Sequence, residues 1–138
     1  MATVIDLKTE LAKLTMLRRR TPQTTRAERE GSAARPGSYR DGMIFANKSA
    51  GKGSWERHPD GDELAHIVEG AAILDIVPEE GPRQAIPIKA GMIAIVPKGA
   101  WHRFGYPDGM TLVTVTPGSS EYVRLDIDDP RTVEPQRN

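Results

Sequence analysis

The sequence predicts an all-β domain preceded by a short N-terminal helix, and three features carry that prediction. From Tyr39 onward, short segments rich in Ile, Val and Leu alternate with Gly, Pro and Asp at intervals of roughly eight to twelve residues, the spacing of a sandwich or barrel. The connectors Glu79-Glu80-Gly81-Pro82, Lys89-Ala90-Gly91 and Pro107-Asp108-Gly109 are turn-like and too short for a crossover helix, which points to antiparallel pairing. Ahead of the strands, Ile5, Leu7, Leu11 and Leu14 fall close to helical spacing.

Thr3 followed by Asp6 resembles a capping box, so the helix is expected over residues 4–17, ending near Arg18, Arg19 and Arg20. These three arginines read as a solvated helix end, because no aromatic residues are interleaved with them as in a nucleic-acid patch. Residues 21–38 are polar and contain Thr-Pro, Gly, Ser and Arg-Pro, the signature of an extended or loosely ordered surface connector. Strands are expected near 42–47, 54–58, 63–68, 71–77, 84–88, 92–96, 102–105, 110–116 and 120–126. The tail is polar, contains Pro130 and Pro135, and is expected to lie on the surface or fray. The division expected is a helix and connector over 1–38, a barrel over 39–126 and a tail over 127–138.

At 138 residues the chain has room for one domain with a real core. Its 19 basic and 19 acidic residues cancel, leaving no global field for nucleic acid or an anionic membrane. Cysteine is absent, which excludes disulfides, thiolate ligands and a cysteine nucleophile, and leaves any metal to nitrogen and oxygen donors. Residues 1–13 lack the apolar core and cleavage site of a signal peptide, and no run is long enough to span a bilayer, so a soluble cytoplasmic protein is the expectation.

Two segments carry the chemistry. In Trp55-Glu56-Arg57-His58, strand alternation puts Glu56 and His58 on one face and Arg57 on the other. Pro59-Asp60-Gly61-Asp62 can then reverse the chain to begin a strand at Glu63. About forty residues on, Gly91, Pro97, Gly99 and His102 are spaced as a strand, a proline-glycine turn and a strand opening at the histidine. Two histidines and two carboxylates spaced like ligands make a metal-site hypothesis.

The second segment resembles the second conserved motif of the cupin superfamily: glycine, five residues, proline, one residue, glycine, two residues, histidine. The first resembles the first cupin motif, a His-x-His pair followed by a glutamate and, seven residues later, a glycine; His58, Glu63 and Gly70 keep that register, and Glu56 stands where the first histidine would fall. The resemblance covers residues 42–116 and implies a small double-stranded β-helix, or jelly roll, holding one divalent metal. Carried over, it implies His58, Glu63 and His102 as ligands, with Glu56 in the fourth position as a different donor. Such a nitrogen and oxygen set suits Fe, Mn, Ni or Zn without choosing among them. Glu56 has two open roles: a fourth ligand that makes the site harder, or a general base beside a metal held by the other three. A barrel without metal, with His58 and His102 simply hydrogen-bonded inside it, stands beside both. His66 faces away from Glu63 by parity and reads as a packed or interface histidine.

Phe104 shares parity with His102, and with Met43, Phe45, Ala65, Ile67, Thr114 and Thr116 it is expected to line a mostly apolar cavity fit for a small, partly hydrophobic organic ligand. Trp55 and Trp101 are expected as wall or core, and Arg57, Lys98 and Arg103 as rim charges. The resemblance thus implies a metal-dependent cupin acting on a small organic molecule by dioxygenase, isomerase or lyase chemistry. The alternative is a non-catalytic cupin module that binds a small ligand; a metal-free sugar isomerase or epimerase would need a strongly polar cavity. Leu64, His66 and Val68 face outward by parity and could join two copies as a homodimer.

Overall fold

In the computed structural model, which describes residues 1–137, the chain forms one short helix and ten strands. Helix α1 spans Leu7–Ala12, followed by β1 (Leu17–Arg20), a 3-10 turn (Ala27–Arg29), β2 (Ala33–Tyr39), β3 (Gly42–Lys52), β4 (Trp55–Arg57) and β5 (Glu63–Val77). Next come β6 (Gln84–Lys89), β7 (Ile93–Val96), β8 (Trp101–Thr116), β9 (Glu121–Val123), a second 3-10 turn (Pro130–Thr132) and β10 (Gln136–Arg137). β8 is the hub of the barrel, pairing antiparallel with β3, β4 and β5. β5 also pairs with β6 and β7, and β4 with β9.

Two pairs of expected strands fuse. Residues 63–68 and 71–77 are one strand, β5, and 102–105 and 110–116 are one strand, β8, because the glycines between them bend the chain without ending the ladder. Gly70 (φ 83°) faces Gly109 (φ 98°) across the pair, and the β5–β8 register slips on either side of Gly70. A Cβ on Gly70 would overlap the Gly109 carbonyl oxygen, so the two strands approach this closely only because that side chain is missing. Pro107 and Asp108, expected in a turn, lie exposed on the outer side of this bend.

Alternation along the first part of β5 sends Glu63, Ala65 and Ile67 into the barrel and leaves Leu64, His66 and Val68 half-exposed outside. The inner apolar cluster joins Ala65, Ile67, Leu74, Ile88, Val96, Phe104, Met110 and Leu112. A second cluster packs Trp55 and Trp101 with Val77 and Val123.

The N-terminal segment departs from its sequence reading. The helix is six residues long rather than fourteen, and its N-cap is Asp6, whose carboxylate accepts from the Thr9 N–H, rather than Thr3. Leu11 packs on Ala46 and Val113, with Leu7, Leu14 and Val68 alongside, so α1 covers part of the outer face assigned to a dimer contact. Arg18 to Arg20 lie on a strand, β1, which runs parallel to β3. The connector is not loose over its whole length, since β2 pairs antiparallel with β3. The tail is tied down too: Trp55 Nε1 donates to the Ile127 carbonyl (2.8 Å), Pro130 is fully buried, and β10 pairs with β9.

Gly70→Ala is expected to lower the free energy of unfolding by at least about 2 kcal/mol, the sum of a left-handed backbone and an overlap that only main-chain movement relieves. Gly91→Ala makes the comparison, because Gly91 is also left-handed (φ 90°) but faces open space, and its cost should be nearer 1 kcal/mol. Urea titration of both variants checks this; equal costs would show that the contact with Gly109 does not fix the bend.

Candidate metal centre

Glu56 lies on β4 directly opposite His102 on β8, a cross-strand pair whose side chains enter the barrel together. His58 follows two residues later on the same face, and Glu63 opens β5 after the turn. One donor atom from each of Glu56, His58, Glu63 and His102 falls within 4.8 Å of every other. His102 Nε2 stands 3.1 Å from Glu63 Oε1 and 3.3 Å from Glu56 Oε1; His58 Nε2 stands 3.0 Å from Glu63 Oε2 and 3.7 Å from Glu56 Oε1. Glu63, His58 and His102 are buried, whereas the Glu56 side chain is 28% exposed and looks into a cavity.

Each donor is oriented from behind. His102 Nδ1 donates to the Ala100 carbonyl (3.1 Å), which fixes the proton there and turns Nε2 toward the cluster. His58 Nδ1 hydrogen-bonds the Ser120 hydroxyl (2.9 Å). The Thr116 hydroxyl donates to Glu63 Oε2 (2.8 Å) and is itself bonded to Thr114 (2.9 Å).

Around the cluster lies a cavity of about 120 Å³. Four of the seven residues assigned to it by parity, Phe45, Phe104, Thr114 and Thr116, line it. Ala65 does not: it sits fully buried in the apolar cluster, its backbone opposite Thr114. Met43 does not either, lying half-buried opposite Thr116 where β3 leaves Gly42. Ile67 belongs to the inner apolar cluster. The cavity is also far more polar than expected, because Arg20, Arg29, Asn47, Ser54, Tyr106 and Tyr122 share its wall. Arg20 and Arg29 come from the stretch read as helix end and connector, where no spacing rule marks a residue as inward-facing. The arginines assigned to the rim are spoken for: Arg57 pairs with Glu121 (2.8 Å) over the Trp101 ring, and Arg103 pairs with Asp126 (3.1 Å) over the Trp55 ring. Lys98 is outside the cavity wall, with its main-chain N–H held by Asp62.

Residues 44–121 match the family model described as Cupin domain. The chain belongs to the cupin family. No curated protein matches it significantly. Among solved structures, this cupin is similar to a cupin-2 domain-containing protein of Shewanella frigidimarina (26% identity, TM-score 0.51, covering 62% of this chain and 79% of that one). It is also similar to a protein of Neisseria meningitidis (23% identity, TM-score 0.57, covering 84% of this chain and all of that one). A third is the hydroquinone 1,2-dioxygenase of Sphingomonas sp. TTNP3, solved with 4-hydroxybenzoate (16% identity, TM-score 0.54); there the cupin matches 66% of the dioxygenase chain and 63% of its own.

The donor set of this cupin fits a divalent ion. Bonds of about 2.1 Å to a common centre place neighbouring donors roughly 3–4 Å apart, the separations found here. His58 Nε2 is fully buried and, although close to Glu63, makes no hydrogen bond, as expected of a nitrogen aimed at a shared centre rather than at one partner.

Without an ion, protons take its place. Burial works against charge on the two rings, but the carboxylates of Glu56 and Glu63 close beside them override it and raise His58 to about 9 and His102 to about 10. Burial likewise pushes both carboxyls up, and the His102 and His58 rings beside them pull them below the usual carboxylate range. The linkage has a definite sign. Histidines raised above their ordinary 6.5 contribute stability that is complete below pH 6.5 and is lost as the pH climbs through 9 to 10. Metal must displace the same protons, so its affinity should rise over the same window, by up to about tenfold per proton per pH unit. Urea unfolding of the metal-free protein and Zn(II) titration, each from pH 6.5 to 9.5, should therefore run in opposite directions; parallel or flat profiles would contradict the assignment.

Proposed function

We propose that this cupin holds one divalent transition metal, Fe, Mn, Ni or Zn, on His58, Glu63, His102 and Glu56, and transforms a small organic molecule in the adjoining cavity. The observation that carries the reading is the orphaned His58 Nε2 inside a buried set of two imidazoles and two carboxylates. When bound there, the ion would supply a Lewis-acidic centre with room for a substrate oxygen. The fold likeness to a hydroquinone 1,2-dioxygenase keeps dioxygenase chemistry open beside isomerase and lyase chemistry.

The chain's own residues have separate tasks in this reading. His102 and Glu63, buried and pinned by Ala100 and Thr116, fix the geometry. Glu56, the one partly exposed donor of the four, is the residue we assign to accept a proton from a bound substrate or water. Phe45 and Phe104 give the cavity its apolar side, and Thr114 its hydroxyl. Among the described residues no helix is long and apolar enough to cross a membrane, in keeping with our reading of a cytoplasmic enzyme. The exposed side chains of Ile93 and Ile95, paired with His66 and Leu64 on β5, favour a homodimer through this sheet face.

Elemental analysis of protein purified without chelator or affinity metal tests the reading. Wild type should carry close to one equivalent of a transition metal, and His102→Ala should lose it while keeping the far-UV circular dichroism of the wild type. Glu56→Ala separates the two roles of that residue: loss of metal makes it a ligand, and retained metal with lost turnover makes it a base. A wild type that takes up no metal even on reconstitution would sink the enzyme reading and leave a ligand-binding module.

A further inference from the structure

Arg20 and Arg29 are the part of the cavity that the metal chemistry does not use. Both line the same wall as Glu56, His58, Glu63 and His102. Among the described residues, neither guanidinium lies within ion-pairing distance of a carboxylate. Arg29 Nε is fully buried and has no hydrogen-bond partner, a state that costs stability unless something else supplies an acceptor. Burial and the neighbouring charge of Arg20 both weigh against its proton.

Their placement is built. β1 bulges between Leu17 and Arg20, with Arg19 in a left-handed conformation (φ 60°), so that Arg18 and Arg19 point to solvent while Arg20 turns to the cavity. Gly51 (φ 127°) pairs with Arg20, and a Cβ there would overlap the Arg20 carbonyl oxygen. The Tyr106 hydroxyl engages Arg20, and both sit over the same side of Gly53. Arg29 also borders two further pockets that share wall residues with the cavity, one lined by Arg26, Glu30 and Arg35 and the other by Thr21, Gln23 and Arg124.

Charge balance gives the ligand's sign. Two carboxylates are matched either by two imidazolium protons or by one divalent ion with neutral imidazoles, so in both states the cluster is neutral. The two arginine charges then remain, in a cavity of about 120 Å³. We infer that this cupin takes a small organic acid, with Arg29 and Arg20 binding its carboxylate by charge-assisted, fork-like hydrogen bonds while the rest of the molecule faces the metal cluster. The inference deepens the function proposed above and rests on it for the position of the reacting centre.

The test compares acids with their neutral amides. Oxalate, succinate and 4-hydroxybenzoate are titrated into Zn(II)-loaded protein by calorimetry, beside oxamide, succinamide and 4-hydroxybenzamide, with inorganic phosphate as a further probe. At least one acid should bind about tenfold or more tightly than its amide, and Arg29→Gln should remove most of that difference. Arg20→Gln should reduce it as well, which keeps the test valid if the Arg29 variant misfolds. Acids bound no better than amides, phosphate bound more tightly than every acid, or a preference unchanged in both variants would each overturn the inference. Metal content is measured on the same samples. Full metal with no acid preference refutes the anion subsite alone, whereas absent metal refutes the proposed function.

Discussion

Glu63 is a carboxylate buried to 2% exposure at the mouth of an apolar barrel, and the layout of the site follows from what keeps it there. A carboxylate taken out of water costs several kcal/mol unless its lone pairs are met and its charge is opposed. Thr116 meets one oxygen, His102 the other, and His58 presses against the first. Thr114 holds Thr116 in turn. These partners come from both ends of the fold: Glu63 from the start of β5, the threonines from the last turns of β8, His102 from the first residues of the same long strand. The bend at Gly70 and Gly109 brings the two ends of β8 to one site, and the glycines there are as much a part of it as the donors.

The cluster is symmetric in charge and asymmetric in exposure. In the proposed metal centre, proton and metal would compete for one role, that of cancelling two negative charges, so the fold can be assembled without the ion. All four donors border the cavity, but His58, Glu63 and His102 are buried and Glu56 alone is partly exposed. An imidazole in the place of Glu56 would leave a metal-loaded cluster with a net positive charge; the glutamate removes that charge and presents an oxygen to the cavity. The site therefore leaves the attraction of an anionic group to residues outside the cluster.

How much of this was legible depended on period and punctuation. Glu56, His58, Glu63 and His102 were readable because each stands on a strand or just beyond a turn with strong signals, and parity alone put Glu56 and His58 on one face. The same parity rule found Phe45, Phe104, Thr114 and Thr116, and failed at Ala65 and Met43, because facing inward is not the same as reaching the cavity: a methyl group opposite Thr114 is covered before it gets there. Pro107-Asp108-Gly109 carries turn chemistry and was read as the end of a strand, yet pairing on both sides of Gly109 carries the strand through the bend. The N-terminal segment was hardest, since a six-residue helix, a bulged strand and a single 3-10 turn have no sustained period. Its structure is dictated by β3, which provides the edges for β1 and β2, and local sequence carries no record of that.

That segment is also where the chain differs most in kind from the barrel it wraps. The matched family region begins at residue 44, after Arg20 and Arg29, so the four-donor cluster and the two cavity arginines without a carboxylate partner among the described residues come from separate parts of the chain. The barrel supplies paired strands to carry the donors, whose placement bond-making chemistry requires to within about 0.5 Å. The segment before it supplies charge from a bulge and a short turn, elements that can change without disturbing the ladder beneath. A left-handed Arg19 costs about 1 kcal/mol, and such strain persists where surrounding contacts outweigh it. Here the parallel pairing of β1 with β3 and the gap left by Gly51 outweigh it, and the outcome is that Arg20, alone of the three adjacent arginines, lines the cavity that holds the four donors.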